Sequence, residues 1–72
     1  SKSFSDHIFE RFSHNFFVET LKLKHEDIPL FLQYAEMPAK DLSLFLKSEY
    51  ELQLIQYLTE KSKVYKLEKQ KE

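Results

Sequence analysis

Pro38-Ala39-Lys40-Asp41-Leu42-Ser43-Leu44-Phe45-Leu46-Lys47-Ser48-Glu49-Tyr50-Glu51 is the stretch whose reading decides the fold class. Proline is tolerated at a helix start, where its missing N–H would have no partner anyway, so Pro38 opens a short helix. Ser48 followed three residues later by Glu51 has the form of a capping box, in which the serine oxygen accepts an amide proton and the glutamate reaches back to the serine N–H. A further helix then begins there. Its inward set would be Leu54, Tyr57, Leu58 and Ile55, with Glu49, Glu51, Gln53, Gln56 and Glu60 toward solvent.

Upstream, Asp27-Ile28-Pro29-Leu30-Phe31-Leu32 uses the same solution. Asp27 reads as the cap, Pro29 lies in the first turn, and the helix should end near Met37. Asp41-Leu42-Ser43-Leu44-Phe45-Leu46 echoes that hexapeptide 14 residues on, but one echo is not a repeat array, which needs several units to bury its faces. The first segment, from about Phe4 to Leu23, has Ser3 or Ser5 as cap and Asp6 at the positive helix end. It reads either as one helix or as two short ones meeting at the polar triplet Ser13-His14-Asn15. Beyond Thr59, residues 63–68 suit either a continued helix or a short strand after a turn. The expectation is an all-α bundle of about four helices with a helix-turn-helix-like core and, in the second case, a C-terminal wing strand.

At 72 residues the chain fits one small domain, residues 1–72, or a piece of a larger protein. Apolar residues at 42%, charged residues at 32% and a mean hydropathy of -0.54 suit a folded globule rather than a disordered tail. With no cysteine there is no disulfide framework and no thiol nucleophile, and with no glycine the Gly-rich phosphate loops are ruled out. The cytoplasm is the compartment this composition suggests, since no apolar run is long enough to span a bilayer and no signal-peptide core follows Ser1-Lys2-Ser3.

Charge is unevenly spread. Residues 1–60 carry six basic and ten acidic side chains, and residues 61–72 carry five lysines against two glutamates. His7, Glu10 and His14 would share one side of a continuous helix and could converge on a metal, but no matching second carboxylate–histidine unit exists, so polar-face roles are expected and no metal. A nucleophilic site would need a base, an orienting acid and an oxyanion pocket, and none is legible. The chain is therefore expected to be non-enzymatic, without cofactor or small-molecule substrate.

From Asp27 onward the layout of helix, Pro turn, the phrase Ala39-Lys40-Asp41-Leu42-Ser43 with Leu46, serine-capped turn and longer helix resembles the helix-turn-helix core of winged-helix domains. The resemblance implies that Ser48 caps the third helix and that Lys63-Val64-Tyr65-Lys66-Leu67 enters the first wing strand, with Ser62 where such chains place a glycine. It also implies nucleic-acid binding, with Gln53 and Gln56 at base edges and Lys61, Lys63 and Lys66 on phosphates.

The first functional expectation comes from the residues themselves. Five of the seven phenylalanines fall within the first 17 residues, more than one helix of a small bundle needs for its inner stripe. Phe4, Ile8, Phe12 and Phe16 are thus the expected partner-binding face, for a protein partner or a second copy in a homo-oligomer. Nucleic-acid binding through Gln53, Gln56, Lys61, Lys63 and Lys66 is the alternative, and no membrane contact is expected.

Overall fold

The computed structural model describes residues 1–71. Ser3 Oγ accepts the Asp6 amide proton at 3.1 Å while the Asp6 carboxylate accepts from Ser3 N–H at 3.3 Å, a reciprocal cap that starts α1, Phe4–Arg11. Phe12 then turns extended and ends the helix. Ser13 Oγ accepts from Phe16 N–H, and the chain restarts as a π-helical turn, Phe16–Thr20. Of the two readings of this segment, the break is the one observed. Wide π turns rotate the side chains that follow them, and here Phe17 and Leu21 both face inward. The turn closes through Lys22 at φ 60°, the left-handed region, with Leu23 N–H donating to Phe17 O at 3.0 Å.

A single 3-10 turn, His25–Asp27, leads into α2, Ile28–Ala35, with Pro29 in its first turn as expected. Asp27 makes no cap; its carboxylate instead lies 3.7 Å from Lys69 Nζ. Pro38 introduces α3, Ala39–Phe45. The Ser48 capping box does not form: Lys47 takes the extended cap conformation, Ser48–Tyr50 is a 3-10 turn, and α4, Glu51–Gln70, begins a residue after it. The pattern was offset in register, since a side chain already inside a helical turn cannot cap it.

α4 also overturns the wing. Residues 63–67 continue the helix, because no glycine or proline interrupts the chain after Thr59 and because Leu54, Leu58, Ser62 and Tyr65 extend a buried stripe at helical spacing. No strand occurs among the described residues. The small Ser62 side chain is fully buried and donates to Thr59 O at 2.7 Å within its own helix, so its hydroxyl is satisfied without a partner from another element.

The architecture is an all-helical bundle organised on α4, which runs antiparallel to α2. Phe31 meets Tyr65 edge-on at 5.8 Å and Tyr57 Oη donates to Ala35 O at 2.6 Å, so residue numbers rise along one helix as they fall along the other. Phe4 and Ile8 from α1, Phe17 and Leu21 from the π turn, Phe31 and Leu32 from α2 and Leu54 and Leu58 from α4 form one continuous core. Two cations close the ends of helical segments, where unpaired carbonyls collect negative partial charge. Arg11 donates to Leu46 O beyond α3, and Lys66 Nζ donates to Leu21 O at 2.9 Å beyond the π turn.

Candidate interaction surface

The antiparallel pairing of α2 with α4 leaves a furrow on one side, open to solvent and about 690 Å³ in volume. Tyr34 of α2, Phe45 of α3 and Tyr57 and Val64 of α4 supply its apolar lining, with Gln53, Gln56, Glu60 and Lys61 as its polar part. Local sequence explains the placement. Tyr57, Lys61 and Val64 stand at i, i+4 and i+7, a second line on α4 beside the buried stripe of Leu54, Leu58 and Tyr65. Tyr34 and Val64, on facing helices, remain 41% and 42% exposed along this furrow.

The groove floor is held in place. Phe45 and Tyr57 rings lie 5.9 Å apart, and Lys61 Nζ sits 5.5 Å from the Tyr34 ring centre and 5.6 Å from that of Tyr57, a double cation–π contact. Burial, then the charge of Asp41, then Tyr34 push the Tyr57 phenol above its ordinary pKa, in keeping with a hydroxyl that must keep its proton to donate to Ala35 O. Lys61 has no carboxylate partner among the described residues; Glu60 lies 3.6 Å from Lys63 instead.

The residues singled out from sequence fall differently. Phe4 and Ile8 are buried in the chain's own core, 5% and 0% exposed, and no partner reaches them without unfolding it. Phe12 and Phe16 stack on each other at 4.2 Å and are half-buried against that core. Phe16 in turn meets Phe17 edge-on at 5.5 Å, and Phe17 meets Phe9 at 5.6 Å. The front phenylalanines thus contact one another across the break after Arg11; burial removes Phe4 and Ile8 from the expected partner-binding face, while Phe12 and Phe16 keep part of their surface exposed. The same break separates His14 from His7 and Glu10, and His14 lies instead 5.0 Å from the His25 ring.

Gln53, Gln56 and Lys61 do come together, in the α2–α4 groove. Lys63 and Lys66 do not join them, since Lys63 faces Glu60 and Lys66 is tied to Leu21 O. Sequence reading missed Tyr34, Phe45 and Val64; the signal was the second apolar line on α4, which has meaning only once α2 is known to lie beside it.

The family model of the BamP C-terminal domain matches residues 1–69. The chain belongs to the BamP C-terminal domain family. No curated protein and no solved structure matches it. Membership in the BamP family corrects the winged-helix resemblance, which no family match supports and which the helical residues 63–67 had already deprived of its wing. Nucleic-acid binding rested on that resemblance, and the family match lends it no support. The cytoplasmic expectation is corrected too: a family associated with the outer-membrane assembly (BAM) machinery implies the periplasm or envelope. No helix among the described residues is long and apolar enough to cross a membrane.

Proposed function

We propose that this domain is a non-catalytic protein-interaction module of the outer-membrane assembly machinery, and that the groove between α2 and α4 receives a segment of a protein partner. The observation that carries this reading is the open groove of Tyr34, Phe45, Tyr57 and Val64, in which Phe45 and Tyr57 pack partly buried against the core while Tyr34 and Val64 stay exposed. Aromatic residues supply large contact area at low entropic cost and dominate interface energetics. From Gln53 to Val64 the groove follows α4 for about 16 Å at 1.5 Å per residue, room for about three turns of an amphipathic helix. Lys61, without a carboxylate of its own among the described residues, favours an acidic residue on that segment. The family assignment supports a protein partner; it lends nothing to self-association.

Calorimetric titration of the domain with purified outer-membrane assembly proteins tests the reading. Val64→Asp alters an exposed helical position, so the fold is retained while an apolar contact is replaced by a charge. Binding is expected to weaken about tenfold or more, equivalent to about 1.4 kcal/mol. Undiminished binding by a folded Val64→Asp variant would refute the groove, and absence of binding to every component would refute the module.

A further inference from the structure

A second concavity, with no lining residue in common with the groove, lies where the left-handed turn at Lys22 meets the last turns of α4. We infer that it is a binding site for a phosphate-type anion, either free phosphate or the phosphodiester of a lipid headgroup. Its volume is about 420 Å³, and Lys22, Lys24, Lys66 and Lys69 line it against a single carboxylate, Asp27. The four lysines come from two segments more than 40 positions apart, so the concentration of charge is a product of the fold and is not a run in the sequence.

The roles within the cleft differ. Lys69 is engaged by Asp27 at 3.7 Å. Lys66 gives one N–H to Leu21 O at 2.9 Å, which fixes its ammonium at the cleft wall and leaves two donors over. Lys22 and Lys24 make no ion pair or hydrogen bond from their side chains among the described residues, and they stand on a backbone pinned by the Leu23 N–H to Phe17 O bond. The left-handed conformation of Lys22 is one that residues with a Cβ ordinarily avoid, and the chain holds a lysine there. Buried Leu23 and Tyr65 form the low-dielectric back of the cleft, and such walls focus the field of the charges around them. Four ammonium groups offer no planar fork for a carboxylate; they act as point charges, the arrangement that suits a compact anion with several equivalent oxygens.

The test uses the whole chain, with and without the paired substitution Lys22→Gly and Lys24→Gln. Glycine removes the charge at position 22 while accepting its backbone conformation, so loss of binding is not a consequence of a strained turn. Inorganic phosphate titrated against the 15N-labelled protein should give saturable amide shifts confined to residues 22–27 and 65–70. Affinity should fall about fivefold for each lysine removed. Lys40→Gln with Lys47→Gln, the same charge change outside the cleft, should leave affinity nearly unaltered. Flotation with phosphatidylglycerol vesicles, against phosphatidylcholine vesicles, identifies the source: flotation with the anionic vesicles that the paired substitution abolishes assigns a lipid headgroup, and phosphate shifts without flotation assign a free phosphate. No saturable shift and no flotation overturns the inference, as does equal loss in the Lys40 and Lys47 control. These results leave the protein-binding groove untouched, since Val64→Asp does not alter the cleft.

Discussion

Replacing Tyr57 by phenylalanine removes one oxygen and leaves the ring, and thus isolates a single hydrogen bond that joins α4 to the end of α2. In the native chain Tyr57 Oη donates to Ala35 O at 2.6 Å, and Ala35 is fully buried. Ala35 closes α2, so its carbonyl has no helical amide above it, and Pro38 three residues on has no N–H to offer. A typical intramolecular hydrogen bond contributes about 0.5–1.5 kcal/mol net, and a stranded buried acceptor costs about 1–3 kcal/mol. Because the phenyl ring keeps its contacts with Phe45 and Lys61, no cavity term is added, and Tyr57→Phe is expected to cost about 1.5 kcal/mol. For a domain of this size that corresponds to a fall in Tm of about 6–12 °C. The pH dependence gives a second readout. The Tyr57 pKa is raised in the folded state by burial, Asp41 and Tyr34, so its contribution is complete below the unfolded-state value of about 10 and is lost as pH rises through the folded-state value. Thermal melts followed by circular dichroism from pH 7 to pH 11 should therefore show the two proteins separated at neutral pH and converging in alkali. Equal stability at pH 7, or parallel alkaline profiles, would refute the assignment of this bond.

Three further substitutions probe other joints. Lys22→Gly should stabilise the chain by about 0.5–1 kcal/mol in urea unfolding, since relief of the left-handed conformation, about 1–2 kcal/mol, exceeds the added unfolded-state entropy of about 0.4–1 kcal/mol; destabilisation would contradict the φ of 60°. Ser62→Ala should be nearly neutral because the hydroxyl bonds only within its own helix, whereas Ser62→Leu should lose about 1–3 kcal/mol by overpacking, and equal effects would show that the position is not tightly enclosed. Arg11→Met should lower stability by about 1 kcal/mol by freeing Leu46 O, with earlier amide exchange at the end of α3 as the local signature.

Much of the helical plan was readable because it is local. Pro29 and Pro38 mark the starts of α2 and α3, Ser3 and Asp6 satisfy each other over three residues, and the spacing of Leu54 and Leu58 shows which side of α4 is buried. Errors arose where two local solutions compete. Ser48-x-x-Glu51 has the composition of a cap, but a 3-10 turn before α4 moved the cap position to Lys47. Residues 63–67 alternate well enough for a strand, and the absence of a breaker after Thr59 decides for the helix only together with the burial of Ser62 and Tyr65 against the rest of the fold. The candidate groove was least legible, because Tyr34, Tyr57 and Val64 are unremarkable until α2 and α4 are set antiparallel, and nothing within either helix states that pairing. The abundance of phenylalanine suggests a face for others, and the bend at Phe12 lets several of those rings also meet one another, a distinction that no spacing along one helix reveals.

Three of the ties described above bind earlier residues to α4: Leu21 to Lys66, Asp27 to Lys69 and Ala35 to Tyr57. During synthesis those anchor points emerge long before the side chains that secure them. Until the codons of α4 have been translated, the front of this domain has no mast to be lashed to, and a nascent chain paused short of that point displays its benzyl rings to whatever chaperone is near.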